Sequence, residues 1–206
     1  MEDFVLRRGL ENVHVAVVTV DDAGNYTASE PEKLIPAGEM SKTVDSEQTP
    51  FYFDNVVFAV IGREGGTEIS VTGAGLRAAH RAFISGKDVD ETTGAVLDSG
   101  QYKEQYLAVG GESSGHDGTK EYFWFLKGTF AAPDENDKTL DESTDANGTE
   151  LTYTAISTTH KFAKTNKVCK RVVIDTKTTK LKDAADWFKQ VVTPDNIEEI
   201  CEKVTE

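Results

Sequence analysis

The sequence predicts a mainly β (α+β) fold: an antiparallel β-sandwich with one packed helix and a helical C-terminus. Three observations lead there. Residues 9–20 form a β-branched run with the composition of a strand. Residues 67–72 and 149–157 alternate apolar with polar, the period of a strand with one face buried. Residues 120–133 hold the densest aromatic run in a chain that is only 9% aromatic. In that run Tyr122, Trp124 and Leu126 point one way and Phe123 and Phe125 the other. Both faces are therefore covered, and the strand is central.

The remaining elements follow in chain order. Asp21-Asp22-Ala23-Gly24-Asn25 turns the first strand, and Lys33-Leu34-Ile35-Pro36-Ala37-Gly38 opens a second that runs to about Val44. Residues 46–66 alternate poorly and hold Pro50, Gly62, Gly65 and Gly66, which predicts a long loop. Phe51, Tyr52, Phe53, Val56, Val57 and Phe58 make it too apolar for a disordered segment, so the loop is expected to dock on something, such as another chain. Past the half-buried strand at 67–72, Leu76, Ala79, His80, Phe83 and Ile84 recur at helical spacing, and Gly86 ends the helix. Residues 87–100 suggest a small hairpin, residues 106–110 a strand, and residues 134–148 an acidic solvated loop. Residues 149–162 and 168–174 read as two further strands. Residues 180–191 read as an amphipathic helix, with Leu181, Ala185 and Phe188 on the sandwich and Trp187 at its edge. Thr193-Pro194 then starts a short last helix with Pro at its first position. The expected organisation is one domain over residues 1–194, including the loop 46–66, and a short helical extension over 195–206.

Composition narrows the function. With 22 Lys+Arg against 36 Asp+Glu the formal net charge is −14, which disfavours tight binding of nucleic acid or an anionic membrane. No apolar run is long enough to span a bilayer, and the acidic start Met1-Glu2-Asp3-Phe4 is not that of a signal peptide. Cys169 and Cys201 lack metal or redox spacing and are expected to be free thiols.

Chemistry-bearing patterns are sparse. Gly73-Ala74-Gly75-Leu76-Arg77-Ala78 matches a dinucleotide fingerprint between a strand and a helix. The preceding strand alternates with Glu68, Ser70 and Thr72, however, whereas a nucleotide-binding strand is apolar on both faces. No apolar run follows the helix to serve as a parallel partner, so the glycines are read as a tight turn. His14, His80, His116 and His160 lie on different elements without ligand spacing. Asp141-x-Ser143-x-Asp145 resembles a calcium loop, but its Gly is misplaced and Thr152 stands where a bidentate acid belongs. The expectation is no enzyme, no catalytic residues, no cofactor and no metal.

A series of pieces in order carries a family resemblance. Gly9-Leu10-Glu11-Asn12-Val13-His14-Val15-Ala16-Val17 resembles the opening strand of phage major tail proteins, the tail tube subunits of long-tailed, non-contractile siphophages. Ile35-Pro36-Ala37-Gly38, a loop ending near Tyr52-Phe53-Asp54-Asn55, a helix closing at Gly86 and Tyr106-Leu107-Ala108-Val109-Gly110 follow in the family's order. The aromatic strand with Pro133, the loop at Asp137-Lys138-Thr139, and Asp186-Trp187-Phe188 before Thr193-Pro194 are also similar. The resemblance covers about residues 9–194. Residues 196–206 run past the usual end, and Gly110-Gly111 stands where an apolar residue is expected after the first Gly.

The resemblance implies a tail-tube-like β-sandwich flanked by a helix. It implies a structural virion protein whose copies form rings, usually of six, that stack into the tube through which DNA is delivered. Its partners would be further copies of itself and tail proteins such as the tape measure and terminator. Its places would be the virion tail and, during assembly, the host cytoplasm. Two kinds of alternative stand beside it: a soluble monomeric β-sandwich binding module, and the tube subunit of a domesticated prophage particle. Within the tube reading, Phe51, Tyr52, Phe53 and Phe58 are the expected inter-subunit loop. If strands 67–72 and 149–157 share a sheet, Glu68, Ser70, Thr72, Glu150, Thr152 and Thr154 fall on one outer face, small, acidic and without Lys or Arg. That is the expected lumen face, past which DNA moves without specific binding.

Overall fold

The computed structural model describes residues 4–100, 103–133 and 148–204. The chain opens with β1 (Arg7–Asp21), which carries two short partners, β2 (Tyr26–Ala28) and β3 (Glu32–Lys33). A long antiparallel pair follows, β4 (Ala37–Phe53) and β5 (Val56–Ala74). Next come helix α1 (Ala78–Ser85) and a small ribbon of β6 (Asp88–Val89) with β7 (Val96–Leu97). Then come β8 (Leu107–Gly115), β9 (Lys120–Phe130), β10 (Gly148–Ala155) and β11 (Arg171–Asp175). The C-terminal part has β12 (Thr179–Leu181), a 3-10 turn (Ala184–Phe188), α2 (Ile197–Ile200) and β13 (Cys201–Lys203).

Among the described residues the large sheet has nine strands, in the order β2-β1-β8-β9-β10-β5-β4, with β3 also on β1 and β11 also on β9. Every pairing is antiparallel. The sheet folds at β9. One edge of β9 pairs with β8, while the other is shared: β11 lies along Glu121–Phe125 and β10 along Gly128–Phe130. The β10-β5-β4 half turns back over β1-β8-β9, and β4 comes against β1.

The aromatic strand is central, as its two-faced pattern requires. Phe123 and Phe125 belong to a core enclosed by the folded sheet, with Val13, Val15, Ile69, Val71, Leu107, Val109, Leu151 and Tyr153. Tyr122, Trp124 and Leu126 belong to a second core on the opposite face, covered by Trp187, Val191, Val192 and Ile200 from the C-terminal segment. Gly110 and Gly111 sit across from Trp124 and Phe123, one on each face. A Cβ at Gly110 would lie 2.5 Å from the Trp124 ring, and one at Gly111 2.9 Å from the Phe123 ring. The glycine that departs from the expected apolar residue thus makes room for an aromatic ring.

Several expected elements change. Residues 46–66 are no loop: they are the far half of the β4–β5 pair. The expected helix over 180–191 is a strand followed by a 3-10 turn, with Asp183 accepting from the Ala185 amide. Burial is also reversed there. Trp187 is 0% exposed and Phe188 only half-buried, because the second core takes the larger ring against Tyr122 and accepts the Trp124 indole N–H at the Trp187 carbonyl. The last helix is one turn long, Ile197–Ile200, and hands over to β13, which pairs with β12, so the expected helix is shorter than its apolar spacing suggested and ends in a strand on the body. The strand expected over 149–162 ends at Ala155, where the chain leaves the sheet and the Thr159 and His160 amides donate to the Asp21 carboxylate. Helix α1 does end at Gly86, in the left-handed region at φ 63°. Its buried side chains are Ala82, Ile84 and Ser85; Leu76 and Phe83 pack against the core in part, and Ala79 and His80 are exposed. The acidic stretch 134–147, with the calcium-like residues Asp141, Ser143 and Asp145, lies outside the described residues.

Candidate functional site

Strands β5 and β10 pair in a register that places Thr72 opposite Glu150, Ser70 opposite Thr152 and Glu68 opposite Thr154. Directly opposed residues in an antiparallel pair share a face. The six expected residues therefore lie on one face, and the Ser70 hydroxyl donates to the Glu150 carboxylate at 2.7 Å. The alternate positions Ile69, Val71, Leu151, Tyr153 and Ala155 are fully buried in the enclosed core. Their burial fixes the phase, because a one-residue slip would exchange the two faces.

The face extends further than the sequence suggested. Strand β4 places Glu39 beside Thr72, Ser41 beside Ser70 and Thr43 beside Glu68. On the other side β9 places Thr129 beside Thr154. Glu39, Glu68 and Glu150 are the charged members, and the rest are Ser or Thr. The alternation of Glu39, Ser41 and Thr43 with Met40, Lys42 and Val44 was visible in the sequence, but only the register ties it to the other strands. Lys42, the lysine of this stretch, sits opposite Ile69 on the other face, and its ammonium lies 4.2 Å over the Phe123 ring. Desolvation of the ammonium against the Phe123 ring, then repulsion from Arg171, holds its pKa down to about 8 although the residue as a whole is exposed; Glu121 opposes the shift and Arg7 adds a smaller push.

Beyond Thr67 the pairing with β10 ends, and β4 and β5 continue as a two-stranded arm. Asp54 and Asn55 form its tip, both with positive φ (49° and 63°), the backbone of a two-residue hairpin turn. Phe51, Tyr52, Phe53 and Phe58 are gathered there; Phe58 is bulged out of the register and packs edge-on against Phe53 at 5.1 Å between ring centroids. Tyr52 is 62% and Phe58 75% exposed, and Val56, Val57, Val60 and Ile61 are exposed beside them. At the base the register shifts at Asp45, opposite Gly65, and the Lys170 ammonium holds the Glu64 carboxylate and the Gly65 carbonyl.

The other motifs separate. Gly73-Ala74-Gly75 ends a strand flanked by antiparallel neighbours, not a parallel βαβ unit, which answers the dinucleotide fingerprint. The His14 ring bonds the Asn12 carbonyl at 2.7 Å and stacks on Phe188 at 4.4 Å, and the His116 ring accepts from the Leu6 amide. Among the described residues no three His, Cys, Asp or Glu side chains are grouped to hold a metal, and no helix is long and apolar enough to cross a membrane. Cys169 and Cys201 are free thiols.

No family model matches the chain, and no curated protein matches it. Among solved structures the chain is similar to the tube-terminating cap of the anti-feeding prophage, with a TM-score of 0.41 and 6% identity over 84% of this chain and 95% of that one. It is also similar to a chain of the sheath–tube complex of an extracellular contractile injection system, PVC, in its extended state. There the TM-score is 0.38, with 10% identity over 79% of this chain and 88% of that one.

Proposed function

We propose that the chain is the repeating structural subunit of a phage tail tube, assembling into stacked rings of six through which DNA is delivered. One observation carries the reading: three adjacent strands present a face of hydroxyl and carboxylate side chains without a lysine or arginine, and the lysine of β4 is turned to the other side. Affinity for a nucleic acid backbone rests mainly on basic charge, so such a face lets a polyanion pass without holding it. In the tube, Glu68, Ser70, Thr72, Glu150, Thr152 and Thr154 line the lumen, joined by Glu39, Ser41 and Thr43. The arm with Phe51, Tyr52, Phe53 and Phe58 contacts the next subunit, because a monomer leaves these rings between 44% and 75% exposed. Tape measure and terminator proteins are the further partners, the virion tail is the place of action, and assembly happens in the host cytoplasm.

The test is reversal of the face's charge. Glu68→Lys with Glu150→Lys is expected to leave folding and tube formation intact. Tubes of the double variant are expected to retain DNA at low salt, where wild-type tubes release it. A tube reconstruction with Glu68 and Glu150 on the outer wall, or buried between subunits, would overturn the proposal.

A further inference from the structure

Where the start of β1 meets the start of β4, the enclosed core opens into a cleft of about 390 Å3. Its walls include Arg8, Leu10, Met40, Lys42 and Phe123. Two carboxylates at this end are already matched. Glu121 takes Arg7 at 2.8 Å and Arg171 at 2.9 Å, and Asp175 takes Arg7 at 3.1 Å. Glu39, which also reaches the rim, belongs to the neighbouring outer face. Arg8 and Lys42 remain: among the described residues neither has an ion pair or a side-chain hydrogen bond, and the Lys42 ammonium rests on the Phe123 ring at 4.2 Å with Phe125 at 5.9 Å. Two spare cations beside apolar walls, on a chain of net charge −14, suit a carboxylate flanked by apolar side chains.

The chain carries such a group at the tip of its arm. Asp54 is exposed in the tip turn, next to Phe53 and close to Phe58, which packs on Phe53. It cannot reach the cleft of its own chain. β4 runs from the cleft wall at Lys42 out to the tip at Phe53 as one paired strand, a span on the order of 35 Å at the usual rise per residue. A second copy's tip is under no such constraint. We propose that the cleft receives the Asp54 tip of a second copy's arm, with Arg8 and Lys42 taking the carboxylate and Leu10, Met40 and Phe123 taking the aromatic rings beside it. The proposal rests on the assembly role of the arm given above and names the surface the arm meets. Tip and cleft are different patches, so the contact is heterologous and propagates from copy to copy.

Charge exchange tests it on the full-length chain, by sedimentation and negative-stain microscopy. Lys42→Glu and Asp54→Lys are each expected to raise the concentration needed for polymer by about tenfold or more, as for other broken interfacial charge pairs. The two together in one chain restore it. Polymer from wild-type protein also requires more protein as salt rises. If Lys42→Glu fails to fold by circular dichroism, Arg8→Glu with Asp54→Arg replaces the pair. Single variants that polymerise normally, or folded single variants that the double variant does not rescue, overturn the cleft assignment. Deletion of residues 49–60 separates the two levels. Loss of polymer in the deletion without charge rescue leaves the arm's role standing and removes only the cleft, whereas normal polymer in the deletion removes both.

Discussion

Two stretches of this chain are rich in large apolar side chains, and they meet opposite fates. The C-terminal segment spends Trp187, Val191, Val192 and Ile200 on its own sheet, closing the second core over Tyr122, Trp124 and Leu126. The arm holds Phe51, Tyr52, Phe53, Phe58 and Ile61 out in solvent, on a two-stranded ribbon that the rest of the sheet does not support. The same chain therefore can cover an apolar face, and does so where the cover is local in space. Exposure at the arm is a property of that element alone. A two-stranded ribbon is marginal by itself, and large exposed apolar patches mark interaction sites.

Deleting residues 49–60 gives the largest contrast. Polymer is expected to vanish while the monomer's thermal midpoint stays within a few degrees, because the arm contributes nothing to either core. Tubes of normal length from the deletion would break the comparison, and a large loss of monomer stability would show that the arm supports the body.

Within the cover, the two neighbouring rings should differ. Trp187→Ala is expected to cost about 3–5 kcal/mol in denaturant unfolding of the monomer, the range for a fully buried aromatic ring. Phe188→Ala, at a half-buried position, should cost about 1–2 kcal/mol on the same scale. Equal losses would mean that the C-terminal segment packs in another phase.

The smallest effect is a pH dependence at the edge of the cover. His14 stacks on Phe188, and burial lowers its pKa below the usual histidine value, with Lys33 adding to this while the Asn12 carbonyl and Glu112 oppose it. The unfolded chain therefore binds the proton more readily than the folded one. Stability is full above the unfolded value of about 6.5 and falls as pH drops from there through the folded value. His14→Phe should flatten that part of the profile between pH 7.5 and 5.5 relative to wild type, read from denaturant midpoints. An unchanged slope would assign the dependence to other groups.

The sequence by itself determined the elements whose side chains report burial. Residues 67–72 alternate because Ile69 and Val71 face a core, and Lys120–Phe130 is apolar on both faces because it lies between two cores. The six-residue polar face on β5 and β10 was legible for the same reason. The arm was not legible: alternation records a difference between two faces, and a ribbon exposed on both leaves no periodic trace. Its one local sign was Asp54-Asn55, a pair that tolerates the positive φ of a two-residue turn. Tertiary structure alone decided that Glu39, Ser41 and Thr43 join the face, since that depends on the register of β4 against β5. It also decided that residues 179–203 form a strand pair, a 3-10 turn and a one-turn helix in place of two longer helices. The spacing of Leu181, Ala185 and Phe188 suits a helix, but β12 finds β13 across the intervening chain, and the pocket beside Trp124 selects Trp187 over Phe188.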